Sequence, residues 1–278
     1  MPVFERIQGL FLLLIVFGLF FWASVLFTPA SRERMRDGWN WLQWRTFPRD
    51  LPGWIGGGFC LGILLQSAYL YLEKSVGGIL LQPGVRVLMS ILLFQGLLSL
   101  VLYVRIHRMR LEVPKVLGLD HPFQLGDLVG GLVGYCMSLP LVALSGLLTT
   151  ALFDSVGKEI APQPILDSLS ELDGWLNCVT LFLLVVFIGP LLEEVIFRGF
   201  LFSWLRQRMG APLGLVVQAV IFAVIHQYAA GVLPLFALSL VLGLAYVYTQ
   251  RLMVCVWMHM FFNGMSLVNL MFLTGAVG

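Results

Sequence analysis

Long intervals without a charged side chain restrict the fold of this sequence more than any other feature. About 20 residues of helix cross a hydrocarbon core of roughly 30 Å. Uncharged intervals of about that length lie at 7–27, 51–72, 87–104, 128–153 and 174–192, and longer ones at 209–250 and from Leu252 onward. We expect the segment 231–234, Gly-Val-Leu-Pro, to divide the interval 209–250 in two. The sequence therefore predicts eight membrane-spanning helices.

The composition agrees with a membrane protein. Of 278 residues, 59% are hydrophobic and 12% are charged, and the mean hydropathy is +0.92. This is more apolar surface than a soluble domain can bury. We therefore expect an all-α polytopic membrane protein that contacts the lipid bilayer. The formal net charge of +2 gives no reason to expect nucleic acid as a partner, and nothing in the sequence indicates an oligomeric state.

The lysines and arginines predict an orientation, because cytoplasmic loops carry their excess. The connections after the first, third, fifth and seventh spans hold 13 of these residues, and the opposite side holds 4. We therefore predict that both termini lie outside the cytoplasm. The compact loops favour a prokaryotic plasma membrane. The segment 32–52 contains both arginines and tryptophans, which is typical of an interfacial amphipathic helix.

Two carboxylates and an arginine follow the fifth interval: Glu193, Glu194 and Arg198. Ionisable side chains at membrane depth are costly and usually face a cavity or a functional site. On a helix, Glu194 and Arg198 lie one turn apart on the same face and can neutralise each other. Glu193 points about 100° away from them. The spacing predicts a structural ion pair and a free carboxylate, although the three residues could also simply end the span.

Polar side chains in two later spans supply partners for this carboxylate. The sixth span contains Phe222-x-x-x-His226, and the eighth contains His259-x-x-x-Asn263. Lipid cannot solvate these groups, so a shared internal cavity is expected. A carboxylate and imidazoles can take and relay a proton from water, and imidazole and amide N–H groups can stabilise an oxyanion. The set indicates water-mediated amide hydrolysis.

Other known arrangements for proteolysis within membranes are absent from the sequence. There is no His-Glu-x-x-His, because Gln227 follows His226 and Met260 follows His259. Ser145 follows Ala143-Leu144, where a Gly-x-Ser-Gly motif needs glycine in place of the alanine. No pair of aspartates lies within the predicted spans.

The motifs Glu193-Glu194-x-x-x-Arg198, Phe222-x-x-x-His226 and His259-x-x-x-Asn263 resemble those of the CPBP family. This family comprises the CAAX-prenyl-protease and bacteriocin-processing, or Abi, membrane proteins. The motifs follow each other in the family's order, with 33 residues from Glu193 to His226 and 33 from His226 to His259. The resemblance covers the chain from about residue 174 to the C-terminus. It implies an eight-helix bundle with a conical catalytic cavity open to the cytoplasm, consistent with Glu193 at the cytoplasmic end of its span.

The resemblance also implies roles for the motif residues. Glu193 and His226 would activate the attacking water, and His259 and Asn263 would stabilise the oxyanion. Glu194 and Arg198 would hold the helix and cavity in shape, with Phe222 as a further supporting residue. Family members are often labelled metalloproteases, and Glu193, His226 and His259 could together bind zinc. These residues lack the close spacing of a preformed zinc site, so no metal or other cofactor is predicted and zinc stays an alternative.

The sequence thus favours an intramembrane endopeptidase that acts on a membrane-associated or lipidated peptide or protein. The first alternative is a non-proteolytic relative that serves as an immunity or scaffold protein, and the second is a transporter. We expect residues 1–125 to form N-terminal membrane helices with the interfacial segment, and residues 126–278 to form the catalytic core, in one integral membrane domain. Gly126, Gly130 and Gly134 predict a close helix contact. The segment 154–173 is expected to be a linker, with a lid as the alternative.

Overall fold

The computed structural model describes residues 2–43, 50–76, 83–110, 112, 114, 117–119, 121–161 and 175–273. Within these ranges every regular element is helical, which confirms the all-α prediction. In chain order the helices are α1 (Pro2–Phe27), α2 (Pro29–Gln43), α3 (Leu51–Val76), α4 (83–108), α5 (Leu125–Ser155), α6 (175–209), α7 (Ala211–Ile225), α8 (Val232–Thr249) and α9 (Leu252–Leu273). A short 3-10 turn, Ala229–Gly231, joins α7 to α8.

Seven of the described helices are long and apolar enough to cross a membrane. They are α1, α3, α4, α5, α6, α8 and α9. Large apolar side chains such as Leu12, Phe20, Leu64 and Leu147 point outward from them, as lipid-facing positions do. The protein is therefore a multi-pass membrane protein. The predicted count of eight is not confirmed, because the expected sixth span is α7, which has only 15 residues.

Helix α6 continues well past the uncharged interval 174–192 and ends at Met209. The helix can continue because Glu194 and Arg198 form an ion pair inside it, and the apolar residues around them, Ile196, Phe197 and Phe200 among them, remain buried. Glu193 consequently lies within α6, on a helix that includes Glu194 and Arg198, as their spacing predicted.

Helix α5 is the central packing element, since α1, α8 and α9 all pack against it. Two of its three predicted glycines confirm the expected close contact with α9. A Cβ atom on Gly130 would lie 3.3 Å from Val254, and one on Gly134 would lie 2.9 Å from Met258. Gly126 has nothing within 4 Å, so that part of the prediction is wrong. The closest approach is at Gly131, which the sequence pattern did not single out.

Substituting alanine for Gly131 is expected to destabilise the protein by about 1–3 kcal/mol. The new methyl group would lie 2.5 Å from Trp257 Cβ and 2.9 Å from the Met258 backbone nitrogen, so α9 would have to move. Thermal unfolding in detergent checks this result. Gly126→Ala is the matched control on the same helix, and it should leave the melting temperature unchanged or raise it, because alanine favours helix. Equal melting of the two variants would contradict the expected contact.

Helix α4 is fixed against α3 at the level of Asp50. Arg105 donates to the Asp50 carboxylate from two nitrogens: Nη2 lies 2.9 Å from both oxygens, and Nε lies 3.2 Å from Oδ2. The Arg105 guanidinium, helped by the Trp54 indole, holds the pKa of Asp50 below its usual range. Further along the pair, a Cβ atom on Gly62 would lie 3.0 Å from the Phe94 ring. These contacts set the position of α4, which reaches the candidate site.

The segment predicted to form an interfacial helix contains α2, which packs against α8. Gly38 allows this contact, because a Cβ atom there would overlap the Val247 carbonyl. Residues 44–49 of that segment lie outside the described residues. The same is true of residues 162–173 in the expected linker. Its described part reaches Ala161, whose carbonyl accepts a hydrogen bond of 3.3 Å from the Tyr228 hydroxyl.

Candidate active site

The backbone of α6 is shaped by Pro190. A π-helical turn, Leu184–Ile188, precedes it, and the Gly189 N–H donates to the Leu184 carbonyl. In this register the next donor, for the Val185 carbonyl, would be Pro190, which has no N–H. The side-chain amide of Asn263 on α9 donates to that carbonyl instead, at 3.0 Å. Pro190 thus creates the acceptor that ties Asn263 to α6.

Glu193 follows this turn and faces a cavity of about 570 Å³. Its side chain is 15% exposed. The Oε1 atom accepts a hydrogen bond of 2.7 Å from Gln95 Nε2 on α4. The Oε2 atom lies 3.9 Å from His226 Nε2 and 3.8 Å from His259 Nε2. One Glu193 oxygen therefore accepts a hydrogen bond from an amide, and the other faces two imidazoles. Of the two neighbouring glutamates, Glu193 is the one that is not paired with Arg198, as the spacing predicted.

His226 lies just after the end of α7, where the backbone turns into the left-handed conformation at Gln227. Its Nδ1 atom lies 2.6 Å from the Phe222 carbonyl oxygen. A carbonyl only accepts, so Nδ1 carries the hydrogen, and in the neutral ring Nε2 presents its lone pair toward Glu193. The four-residue spacing of Phe222 and His226 therefore fixes the tautomer that faces the cavity.

His259 is held from behind by Glu194. Its Nδ1 atom lies 2.8 Å from Glu194 Oε1, and its side chain is 3% exposed. The same Glu194 oxygen accepts a hydrogen bond of 3.0 Å from Arg198 Nη1. The ion pair predicted from the four-residue spacing is present, and it is fully buried. Glu194 does more than the predicted structural pairing, because it also fixes the direction in which the His259 ring points.

The guanidinium of Arg198 is surrounded by partners from three helices. Its Nη2 atom donates to Ser239 Oγ at 2.9 Å and to the Ser239 carbonyl at 3.2 Å. Gln218 in turn donates to the same carbonyl at 3.4 Å. The carbon at the centre of the guanidinium lies 5.0 Å from the centre of the Phe222 ring, within cation–π distance. Glu194 thus neutralises the buried charge, and the two Ser239 oxygens accept hydrogen bonds that water would otherwise accept.

Phe222 connects the charged pair to the two histidines. Its ring is fully buried and lies 4.7 Å from the His226 ring and 5.9 Å from the His259 ring, measured between centroids. On another side it packs edge-on against Phe197 at 5.0 Å. Phe222, the supporting residue implied by the family resemblance, therefore packs against both histidine rings and the Arg198 guanidinium.

The residues that the sequence singled out thus meet in one place, contributed by α6, α7 and α9. The site also contains groups that the sequence analysis missed. They are Gln95 on α4, Gln218 on α7 and Ser239 on α8, together with the Val185 carbonyl. Each of the three side chains is a polar group inside an apolar interval, which is the signal that could have identified it.

The site offers the types of ligand that zinc binds, but not the distances between them that zinc requires. Two imidazole nitrogens and a carboxylate oxygen are usual zinc ligands, with bonds of about 2.0–2.2 Å in a tetrahedron. Such bonds place neighbouring ligand atoms roughly 3.3 Å apart, whereas the distances from Glu193 Oε2 are 3.8 and 3.9 Å. No group of three His, Cys, Asp or Glu in the described part of the chain has metal-binding geometry. We therefore assign no step to a metal.

Comparison with known proteins identifies the region that contains the site. A family model described as type II CAAX prenyl endopeptidase Rce1-like matches residues 175–265, a range that includes all three motifs. The membrane-embedded CAAX protease MroQ of Staphylococcus aureus (strain USA300) is 33% identical over 90 residues, which cover 30% of this chain and 36% of that protein. The match thus spans little more than a third of the relative.

No solved structure matches the chain. The family model and the relative nevertheless agree with each other and with the three motifs. The region 175–265 is therefore similar to the Rce1-like CAAX prenyl endopeptidases, in agreement with the three motifs it contains.

Proposed function

We propose that this protein is an intramembrane endopeptidase that hydrolyses a peptide bond with a water molecule activated by Glu193 and His226. One observation carries the proposal. Glu193 Oε2 lies 3.9 Å from His226 Nε2 across an internal cavity, in a ring whose Nδ1 hydrogen is already donated to Phe222. That distance is too long for a direct hydrogen bond but allows one water molecule to contact both atoms.

In the proposed first step, the water molecule gives a proton to this pair and its oxygen attacks the carbonyl carbon of the substrate. A bond forms between that oxygen and the carbon, and the carbonyl oxygen becomes an oxyanion. In the second step the carbon–nitrogen bond breaks, and the proton held by the pair goes to the leaving amine. A carboxylate and an imidazole are suited to both transfers, since each can accept and return a proton.

The oxyanion would be stabilised from α9. Asn263 uses one amide hydrogen for the Val185 carbonyl and has a second one to donate. His259 uses Nδ1 for Glu194, so its Nε2 atom is the one that faces Glu193 and the cavity.

We propose a membrane-associated or lipidated peptide as the substrate. The cavity lies among helices that are long enough to cross a membrane. The name of the matched family refers to CAAX prenyl endopeptidases, and that of the bacterial relative to a CAAX protease. We further propose a prokaryotic plasma membrane as the location, because the loops are compact. With α7 counted as an eighth crossing, the loop charges favour both termini outside the cytoplasm.

Mass-spectrometric profiling of new peptide termini in host membranes tests the proposed function. Membranes that contain the wild-type protein should show termini that are absent, or reduced by about 10²–10⁴-fold, with His226→Asn, because the shorter amide cannot reach Glu193. His107→Asn is the matched control, since His107 stacks on Tyr103 on the surface of α4. It should leave the termini unchanged.

Equal termini in the wild type and His226→Asn, with both proteins folded, would contradict the proposal. If neither the wild type nor any variant produces new termini, the immunity or scaffold alternative is favoured. If the wild-type protein in proteoliposomes supports an ion flux and His226→Asn abolishes it, the transporter alternative is favoured.

A further inference from the structure

Gln95 contacts Glu193 from a part of the chain that neither the motifs nor the matched region 175–265 includes. It lies in a π-helical turn of α4, Leu92–Gly96, which gives this stretch a wider backbone than the flanking α-helix. Such turns are frequent at functional sites. The turn also packs against α3: the Phe94 ring lies edge-on to the Phe59 ring, with 4.9 Å between centroids.

The chemistry of the contact fixes the orientation of the Gln95 amide. An ionised carboxylate only accepts hydrogen bonds, so the group that lies 2.7 Å from Glu193 Oε1 must be the NH₂. The Gln95 oxygen then points away, is buried and has no hydrogen-bond partner among the described residues. A buried unpartnered oxygen costs free energy. Gln95 therefore donates to Glu193 at the cost of leaving its own buried oxygen without a partner.

We propose that Gln95 is a positioning residue of the active site, which holds Glu193 so that Oε2 faces His226 and His259. This inference rests on the proposed function. The terminal torsion of a glutamate is broad and nearly two-fold, so without a donor on one oxygen the carboxylate can turn away from the imidazoles. Donation from Gln95 removes that freedom on one side of the carboxylate.

Gln95 holds Glu193 without adding a charge. The ionisable groups around Glu193 are His226 of α7 and His259 of α9, while Glu194 and Arg198 of α6 are already paired with each other. A cation at position 95 would bind Glu193 tightly and compete with the proton from water. A neutral amide orients the carboxylate without that competition.

The test replaces Gln95 with methionine, which has a similar length and no hydrogen-bond donor. Kinetics are measured with the peptide whose cleavage in terminus profiling depends on Glu193. We expect kcat to fall by about 10-fold or more, with KM within about twofold of the wild type. The matched control is Gln66→Met, which removes a similar amide bonded to Ser90 between α3 and α4. It should change neither constant.

Three results would overturn the inference. The first is a wild-type kcat in Gln95→Met. The second is a rise in KM at constant kcat, which would make Gln95 a substrate-binding residue. The third is an equal loss of activity and melting temperature in Gln95→Met and Gln66→Met. If Glu193→Gln itself keeps full activity, the proposed function fails instead.

Discussion

Substituting glutamine for Glu193 is expected to reduce peptide cleavage by about 10³-fold or more while the protein stays folded. Glutamine is nearly isosteric, and its side-chain oxygen can still accept the hydrogen bond from Gln95 Nε2, which is 2.7 Å long in the parent. Its NH₂ group would then face His226 and His259 in place of Oε2, and it cannot take a proton from water. The variant therefore loses the base and keeps the packing.

The cleavage rate and the melting temperature in detergent should be measured on the same preparations. Adding a zinc chelator to the wild type separates two mechanisms, because water activated by Glu193 and His226 alone needs no metal. Normal turnover by Glu193→Gln would refute the assignment of the base. Loss of wild-type activity on chelation, restored by zinc, would bring back the metal alternative.

Removing Arg198 is expected to cost about 3–5 kcal/mol of folding free energy. Arg198 and Glu194 are both 0% exposed, so Arg198→Ala leaves a buried carboxylate with His259 as its remaining donor. Ser239 and Gln218 also lose the group around which they are arranged. A low yield of folded protein and a lower melting temperature should follow.

Arg208→Ala is the matched control on the same helix, because Arg208 is exposed and contacts only the Trp204 ring among the interactions described for it. It should melt like the parent. Adding Glu194→Gln to Arg198→Ala should recover part of the loss, since the carboxylate is then no longer charged. Arg198→Ala that melts like Arg208→Ala would show that the buried pair does not stabilise the fold.

The helices and the motif residues could be predicted because each depends on local pattern. Uncharged length indicates a span, and a four-residue spacing puts two side chains on one face, as it does for Glu194 with Arg198 and Phe222 with His226. The pairing of Glu194 with His259 could not be predicted in this way. It depends on how α6 and α9 pack, and no spacing within one helix reveals that.

The span boundary and Gln95 were missed for different physical reasons. Charged residues were taken to end a span at Leu192, but a neutralised pair is compatible with a continuing helix, and α6 reaches Met209. Gln95 was missed because it carries no charge and belongs to none of the three motifs. Its importance appears only when α4 lies against α6. The contribution of the first 125 residues to the site could therefore not be seen from the motifs.

The second half of α6 and the whole of α7 form an antiparallel hairpin that turns at Gly210. Glu193 and His226 lie on its two arms, each roughly 16 residues from the turn, or about 24 Å of helix. The hairpin therefore fixes how far both residues lie from Gly210. Inserting or deleting a residue in either arm would rotate one of the two side chains by about 100° and separate it from the other.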